Sequence, residues 1–243
     1  PRFVSVTYGA GGTTRDRTTK IVSRIEKDTG VNAAAHLTCV GASKEEVGDV
    51  VRGYQEAGIS RIVALRGDPP EGVGMPFQPH PQGYKNAAEL VAGIREIGDF
   101  DISVACYPEK HPQSPDWHGD IENLKRKIDA GASRAITQMF FDNKYYFEFV
   151  DRCRAMGINV PIVPGLKPLT KKYQLNAIPR LFHLDLPQDL ATAIAAAKDG
   201  KARKQVGIEW CIQQSKELKA KGAPCLHYYT MGDTKTIKEI CEA

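Results

Sequence analysis

Residues 56–68 read Glu56-Ala57-Gly58-Ile59-Ser60-Arg61-Ile62-Val63-Ala64-Leu65-Arg66-Gly67-Asp68, and this stretch decides the fold. A helical pattern ends at a glycine, which supplies the left-handed conformation that closes a helix. A continuous apolar run follows, as is typical of a parallel strand covered on both faces. The same helix–glycine–strand joint recurs at residues 129–132 and 155–158. The chain is therefore predicted to repeat a βα unit.

Alternating strand and helix patterns continue along the chain. Strands are expected at residues 3–8, 33–39, 61–66, 102–107, 135–141, 160–163 and 226–230. Helices are expected at residues 18–27, 43–57, 86–97, 120–130, 144–156 and 201–221, and the second opens with the capping box Ser43-Lys44-Glu45-Glu46. This repetition favours an α/β fold of the (β/α)₈ TIM-barrel type over an open, doubly wound sheet. Seven strands are counted where the barrel has eight. We predict one domain over residues 1–243 that lacks its first strand, with extra helices before the last strand.

Composition excludes several classes of protein. Of the 243 residues, 42% are hydrophobic and 26% are charged, and no apolar run approaches the roughly 20 residues of a membrane span. The net charge of +4 is spread along the chain, which suits an anionic small molecule better than a nucleic acid. The six cysteines form no CxxC pair, and no metal-binding spacing occurs. We expect a cytoplasmic protein with no metal, membrane or nucleic-acid partner.

Polar residues stand at or just beyond the ends of the first five predicted strands, at the edge where α/β enzymes place their active sites. The residues at the first three strands also have structural interpretations. These are a glycine-rich turn at the first strand, a core histidine at the second and a strand-end salt bridge at the third. The candidates, strand by strand, are Thr7-Tyr8-Gly9-Ala10, His36, Arg66-Gly67-Asp68, Tyr107 with His111, and Gln138.

Four polar residues recur at helical spacing after the fourth strand: Asp120, Asn123, Arg126 and Lys127. They form either a solvated face or a face that recognises ribose and phosphate. No catalytic triad or paired acidic site occurs elsewhere. The set predicts a site for a planar, anionic, heteroaromatic ligand, with a cofactor performing the chemistry.

The sequence resembles the methylenetetrahydrofolate reductase family, flavin enzymes of one-carbon metabolism and methionine biosynthesis. The matching segments cover nearly the whole chain in the family's order: residues 4–10, 36–39, 64–68, 107–108 with 111–112, 124–127 with 129–132, 136–138 with 140–141, 161–165 and 227–230. The resemblance implies the (β/α)₈ barrel and a cytoplasmic oxidoreductase that acts on a CH–NH bond.

The resemblance also implies a ping-pong reaction and its partners. NADH or NADPH reduces FAD, and the reduced flavin passes a hydride to 5,10-methylenetetrahydrofolate to give 5-methyltetrahydrofolate. A homo-oligomer is expected, because the family usually associates.

Site residues are carried over by motif match. Asp68, beside the isoalloxazine and the pterin, and Thr7, near the flavin ring and the nicotinamide, are the expected catalytic residues. Gln138 and Gln174 are expected to hold the folate. The expected FAD contacts are Tyr8, Ala10, His36, Arg66, Gly67, Asp68, Tyr84, Tyr107, His111, Asp120, Asn123, Arg126 and Lys127.

Three departures from the family's pattern limit this resemblance. The family's general-acid glutamate lies on the first barrel strand, and no such segment occurs here. The eighth strand and the general acid are therefore missing together. Residues before Pro1 would explain this, as would a variant that supplies the acid in another way. Asp233 stands where the family often has an arginine near the substrate, and Ile178 stands where some members place a phenylalanine lid.

Two other functions fit the residues less well. The first is a flavin-binding electron-transfer subunit of a larger complex that lacks the general acid. The second is an unrelated barrel that binds a phosphorylated metabolite, with Arg126 and Lys127 on the phosphate. The second predicts that no flavin is bound.

Overall fold

The computed structural model describes residues 1–7, 15–69 and 76–243, and the elements below are those of this part of the chain. Its strands are β1 (Phe3–Val6), β2 (Asn32–Thr38), β3 (Arg61–Leu65), β4 (Asp101–Cys106), β5 (Arg134–Met139), β6 (Ile162–Leu166) and β7 (His227–Tyr228). Its helices are α1 (Arg15–Thr29), α2 (Lys44–Glu56), α3 (Ala87–Ile97), α4 (Trp117–Asp129), α5 (Asn143–Ala155), α6 (Gln174–Phe182), α7 (Gln188–Ala196), α8 (Gly200–Ala220) and α9 (Thr234–Glu242).

The strands form a sheet whose order follows the chain, from β1 to β7. β1 pairs with β2, β2 with β3, β3 with β4, and β6 with β7, all in parallel. The register aligns Val6 with Ala35, Ala35 with Ile62, and Ile62 with Ile102. The predicted α/β fold of parallel strands in chain order is confirmed. Within the first unit, the carboxyl ends of β1, β2 and β3 lie along one edge, near the candidate residues Thr7, His36 and Arg66.

The chain divides into two compact units. The first comprises Pro1–Ala105 and His118–Ala135, and the second comprises Cys106–Trp117 and Ile136–Ala243. The prediction of a single domain stays a prediction. In the first unit, residues 33–35 of β2 and residues 62–64 of β3 are buried, and α2 packs its apolar face inward through Val47, Val51 and Tyr54. This burial on both faces explains the continuous apolar runs of the sequence.

In the second unit, α6, α7 and α8 lie between β6 and β7. A buried apolar cluster joins β5 to these helices, and it comprises Met139, Phe141, Leu169, Ile178, Leu184, Leu190 and Ile194. Ile178, where the resemblance implied a phenylalanine lid in some members, is 6% exposed within this cluster. It is therefore a packing residue of the second unit.

Local signals predicted several element ends correctly. Ser43 and Glu46 form the reciprocal capping box at the start of α2. Gly58, Gly131 and Gly157 all have positive φ, as the repeated joints predicted. The sequence pattern did not predict the ends of α6, because proline disfavours the interior of a helix and Pro179 lies inside this one.

β6 is displaced from its predicted position. It spans Ile162–Leu166, whereas residues 160–163 were expected, because Pro164 and Gly165 are typical of a turn. The glycine is required there by close packing: a Cβ on Gly165 would lie 2.3 Å from the carbonyl oxygen of Thr137. The Gly165 amide also donates to Thr137 Oγ1 at 2.8 Å. The contact of Gly165 with Thr137 of β5 therefore outweighs the turn preference of the Pro164-Gly165 pair.

Across the described ranges, no helix combines the length and the hydrophobicity that crossing a bilayer requires.

Candidate active site

The loop after β3 is held by backbone geometry at Gly67. Its φ of +87° lies in the left-handed region, and a Cβ there would come within 2.5 Å of Val40 Cγ1. The preceding carbonyl, that of Arg66, accepts a hydrogen bond from the Cys39 thiol at 3.4 Å. Burial raises the pKa of that thiol to about 11, so it stays protonated and can donate. The loop therefore presents Asp68, whose side chain is exposed, from a fixed backbone.

The Arg66 side chain is oriented by two contacts. Its Nε donates to the Gly67 carbonyl at 3.3 Å, and its guanidinium carbon lies 4.7 Å from the centroid of the Phe77 ring. Phe77 was missed by sequence reasoning, since nothing in the pattern links it to the end of β3.

The exits of β1 and β2 carry Thr7 and His36. The Thr7 carbonyl accepts a 3.3 Å hydrogen bond from the Thr18 hydroxyl of α1, and the residue is exposed. The His36 carbonyl accepts from the Tyr54 hydroxyl of α2 at 3.1 Å. Two other expected cofactor contacts, Tyr8 and Ala10, lie outside the described residues. Helices α1 and α2 thus fix the backbone at the ends of these strands.

Tyr84 is buried within the first unit, with 8% of its surface exposed. The Lys44 ammonium lies 5.3 Å from its ring centroid. A Cβ on Gly93 of α3 would lie only 1.9 Å from the Tyr84 hydroxyl oxygen, so the glycine makes room for the phenol. Burial raises the Tyr84 pKa, and the nearby groups Glu96 and Cys39 raise it further. Tyr84 therefore remains a neutral phenol packed against α3.

The polar residues of α4 separate into buried and exposed groups. Asp120 and Lys127 are 7% and 8% exposed, and the Lys127 ammonium donates to the Ala105 carbonyl of β4 at 2.6 Å. Arg126 is exposed and donates to Asn123 Oδ1 at 3.4 Å. The four residues were expected to form one face. In the structure, the buried lysine supports the end of β4 and the exposed Arg126–Asn123 pair faces solvent.

In the second unit, Tyr107 and His111 follow β4 and contact each other edge to face, with ring centroids 4.5 Å apart. His111 Nδ1 accepts from the Gln113 amide at 3.1 Å, which assigns the proton of the neutral ring to Nε2. Lys110, with φ of +68°, ties the loop together by donating to the Ser114 carbonyl at 2.6 Å. The structure brings these two predicted residues together on one constrained loop.

The two glutamines expected to hold the folate have side-chain oxygens that bond to the backbone. Gln138 Oε1 accepts from the Met139 amide at 2.9 Å. Gln174 is 7% exposed, and its Oε1 accepts from the amides of Thr170 and Lys171 at 2.8 and 2.9 Å. These hydrogen bonds from backbone amides of the second unit fix the orientation of each side-chain amide.

A carboxyl group that sequence reasoning missed lies on the same loop as Tyr107. Glu109 Oε2 accepts from the Asp185 amide at 2.5 Å, and the Asp185 carboxylate accepts from the Tyr145 hydroxyl at 2.6 Å. Glu109 Oε1 is buried, and none of the residues that the structure describes forms a hydrogen bond with it. Burial raises the Glu109 pKa from 4.5 to about 7, and the Asp185 and Asp142 charges contribute. No sequence signal links positions 76 residues apart.

Asp233, where the resemblance implied an arginine, is a helix cap in the structure. Asp233 precedes α9, and its carboxylate accepts from the Thr236 amide at 3.1 Å and the Thr236 hydroxyl at 2.6 Å. These bonds lower the Asp233 pKa. Asp233 is therefore the N-cap residue of α9 in the second unit.

Comparison with known proteins decides the family. The family model described as methylenetetrahydrofolate reductase matches residues 1–243. The chain belongs to the methylenetetrahydrofolate reductase family. It is 44% identical to the 5,10-methylenetetrahydrofolate reductase of Pectobacterium carotovorum subsp. carotovorum, over 99% of this chain and 79% of that protein. It is 36% identical to "Methylenetetrahydrofolate reductase (NADH) 1" of Arabidopsis thaliana, over 97% of this chain and 42% of that protein.

Methylenetetrahydrofolate reductases are oxidoreductases of folate metabolism, so the predicted enzyme class is confirmed. A solved structure of an uncharacterized Clostridium thermocellum protein, described as binding two copies of 5-methyl-5,6,7,8-tetrahydrofolic acid, has a similar fold. Its TM-score is 0.58 at 12% identity, covering 93% of this chain and 88% of that one. At this identity the likeness concerns the fold alone.

Proposed function

We propose that this chain reduces 5,10-methylenetetrahydrofolate to 5-methyltetrahydrofolate, with NADH or NADPH as the hydride source and FAD as the cofactor, in two ping-pong half-reactions. The observation that carries the proposal is the family match over residues 1–243. The name of the Arabidopsis relative favours NADH.

The donor set of the first unit fits FAD. A dinucleotide needs cations for its pyrophosphate, polar groups for its hydroxyls and support for a planar ring system. Arg66 and the exposed Arg126 offer guanidinium donors, which suit phosphate oxygens, and Asn123 and Asp68 suit hydroxyl and ring N–H groups. FAD, when bound, supplies the hydride transfer that no side chain can perform.

Asp68 and Thr7 are the proposed catalytic residues. Asp68 presents an exposed carboxylate from the backbone fixed at Gly67. Its negative charge would stabilise the cationic iminium form of the methylene-bridged folate, which is the form that accepts a hydride. The backbone at Thr7 is held by Thr18, and its hydroxyl is proposed to lie near the nicotinamide.

The second unit contributes its own candidates. Tyr107 and His111 are proposed to contact FAD from one loop. Gln138 and Gln174 are proposed to hold the folate heterocycle, because a side-chain amide offers a donor beside an acceptor. The backbone bonds to Gln174 Oε1 orient its NH₂ group as that donor. The remaining proposed FAD contacts are Tyr8, Ala10, His36, Gly67, Tyr84, Asp120 and Lys127.

The closed barrel, the single domain and the remaining strand are part of the proposal. We propose that the seven parallel strands belong to a (β/α)₈ barrel of one domain whose remaining strand carries the general-acid glutamate. Ring opening of the folate needs a proton at the leaving nitrogen, which explains why that acid is required. A cytoplasmic location and a homo-oligomeric state are proposed with it.

The proposal is tested by product analysis with the full-length protein. Formation of one 5-methyltetrahydrofolate per NADH or NADPH oxidised would support it, and Asp68→Asn should lower kcat at least tenfold, because it removes the charge and keeps the side-chain shape. Glu122→Gln, an exposed change on α4, serves as the matched control. Bound flavin with nicotinamide oxidation but no folate product would instead favour the electron-transfer subunit.

A further inference from the structure

Arg66 is fixed to the fold at its backbone, so its function depends on where the guanidinium points. Its carbonyl accepts from the Cys39 thiol, and the next residue, Gly67, is held in a positive-φ conformation against Val40. A flexible arginine side chain loses considerable rotamer entropy when it is ordered by a ligand. Contacts that order it beforehand therefore strengthen binding.

Phe77 supplies such a contact. The guanidinium carbon of Arg66 lies 4.7 Å from the centroid of the Phe77 ring, within the range of a cation–π interaction. A ring against one face of the guanidinium limits the tilt of its plane. The 3.3 Å bond from Arg66 Nε to the Gly67 carbonyl limits rotation within that plane. Both contacts restrict the direction in which this arginine donates hydrogen bonds.

The surroundings of Phe77 indicate that core packing is not its main task. The residue is half-buried, and its neighbours Pro76, Gln78 and Pro79 are exposed. The buried core of the described chain does not include it. A large aromatic side chain on such a loop needs a partner, and the partner that the structure gives it is Arg66.

We propose that Phe77 is a positioning residue that pre-orients the Arg66 guanidinium for the anionic dinucleotide cofactor. The inference rests on the proposed function, because it takes Arg66 as a cofactor contact. It adds a residue outside the family motif, on the loop that follows Asp68. Phe77 acts on the cofactor through Arg66, so its effect should vanish when the arginine is removed.

The test measures FAD affinity rather than turnover. Apoprotein prepared from the full-length protein is titrated with FAD, and quenching of flavin fluorescence gives the Kd. Phe77→Ala should weaken FAD binding roughly 3- to 10-fold, the range of a partly desolvated cation–π contact. Phe77→Tyr keeps an aromatic face and should restore the wild-type Kd, whereas Phe77→Leu should not.

A double-mutant cycle separates positioning from general destabilisation. Arg66→Ala and Arg66→Ala/Phe77→Ala should have the same Kd, because the ring has no target once the guanidinium is gone. Phe147→Ala is the matched control, since Phe147 also stacks under a cation, that of Lys221, at 4.5 Å. It should leave the Kd unchanged.

Each contrary outcome has a distinct meaning. If wild-type apoprotein fails to bind FAD, the proposed function and this inference fall together. If FAD binds and Arg66→Ala weakens it, but Phe77→Ala does not, the proposed function stands and the inference is overturned. It is overturned equally if the Phe77→Ala effect persists in the Arg66→Ala background, or if Phe77→Leu matches Phe77→Tyr.

Discussion

The ammonium of Lys127 donates a 2.6 Å hydrogen bond to the carbonyl oxygen of Ala105, near the carboxyl end of β4. Lys127 is 8% exposed, so its charge is held largely away from water by α4. The bond fixes the end of a strand to the helix that follows it. A residue expected to meet the cofactor thus also supports the backbone of the first unit.

Lys127→Met tests this support. Methionine keeps the aliphatic stem and removes the ammonium, so the Ala105 carbonyl loses a charged donor, and the free energy of unfolding should fall by about 1.5–3 kcal/mol. Urea denaturation measures the change. Lys125→Met is the control on the same helix: its pair with Asp129 is exposed and should contribute less than about 0.5 kcal/mol. Equal losses for the two variants would show that the Lys127–Ala105 bond is not stabilising.

Gly67→Ala should destabilise the loop that carries Asp68. Alanine there would have both a left-handed backbone, costing about 1–2 kcal/mol, and a Cβ 2.5 Å from Val40. Gly30→Ala is the control because Gly30 has φ of +67° and open space around its Cβ position. Thermal and urea unfolding should show a loss at Gly67 at least 1 kcal/mol larger than that at Gly30. A difference near zero would contradict the close approach.

Gln174→Glu separates the two tasks assigned to Gln174. A carboxylate can still accept from the Thr170 and Lys171 amides, so the free energy of unfolding should stay within about 1 kcal/mol of wild type. The side-chain donor is lost, so the KM for the folate should rise about tenfold or more. Gln174→Ala should impair both properties. An unchanged KM in Gln174→Glu would leave the residue a purely structural loop cap.

Glu109 should make stability depend on pH. Its pKa in the folded chain is raised to about 7, so between pH 4.5 and 7 the folded state binds more protons than the unfolded state. The stability of the wild type should therefore fall as pH rises through this window, by on the order of 1 kcal/mol after allowance for partial exposure. Glu109→Gln stays neutral and should remove this part of the pH dependence.

Unfolding free energies at pH 5, 6, 7 and 8 measure the Glu109 effect. Glu122→Gln, an exposed glutamate on α4, should keep the wild-type profile. Parallel profiles for the wild type and Glu109→Gln would show that this carboxyl has an ordinary pKa.

Sequence reasoning succeeded where the signal was local. The capping box joins Ser43 to a residue three positions away, and the burial of β2 and β3 is visible in the apolar runs at residues 33–35 and 62–65. The family motif singled out Arg66, Gly67 and Asp68 because the three are contiguous at a strand end, and their role in the site stays a prediction.

The rest depends on tertiary contact, which no local pattern records. Glu109 meets the Asp185 amide 76 residues away, and its raised pKa comes from burial. Phe77 has no periodic relationship to Arg66. Pro179 inside α6 argues locally against the helix that its neighbours form through the apolar cluster of the second unit.

The proposed transfer of electrons from a nicotinamide through FAD to a folate is tested by following the two half-reactions separately. The purified full-length protein is mixed with NADH or NADPH without oxygen while its visible flavin absorbance is followed, and 5,10-methylenetetrahydrofolate is then added. The nicotinamide should bleach the absorbance, and the folate should restore it with formation of 5-methyltetrahydrofolate. A colourless protein that takes up no FAD, or a bleached flavin that the folate cannot reoxidise, would contradict the proposed transfer.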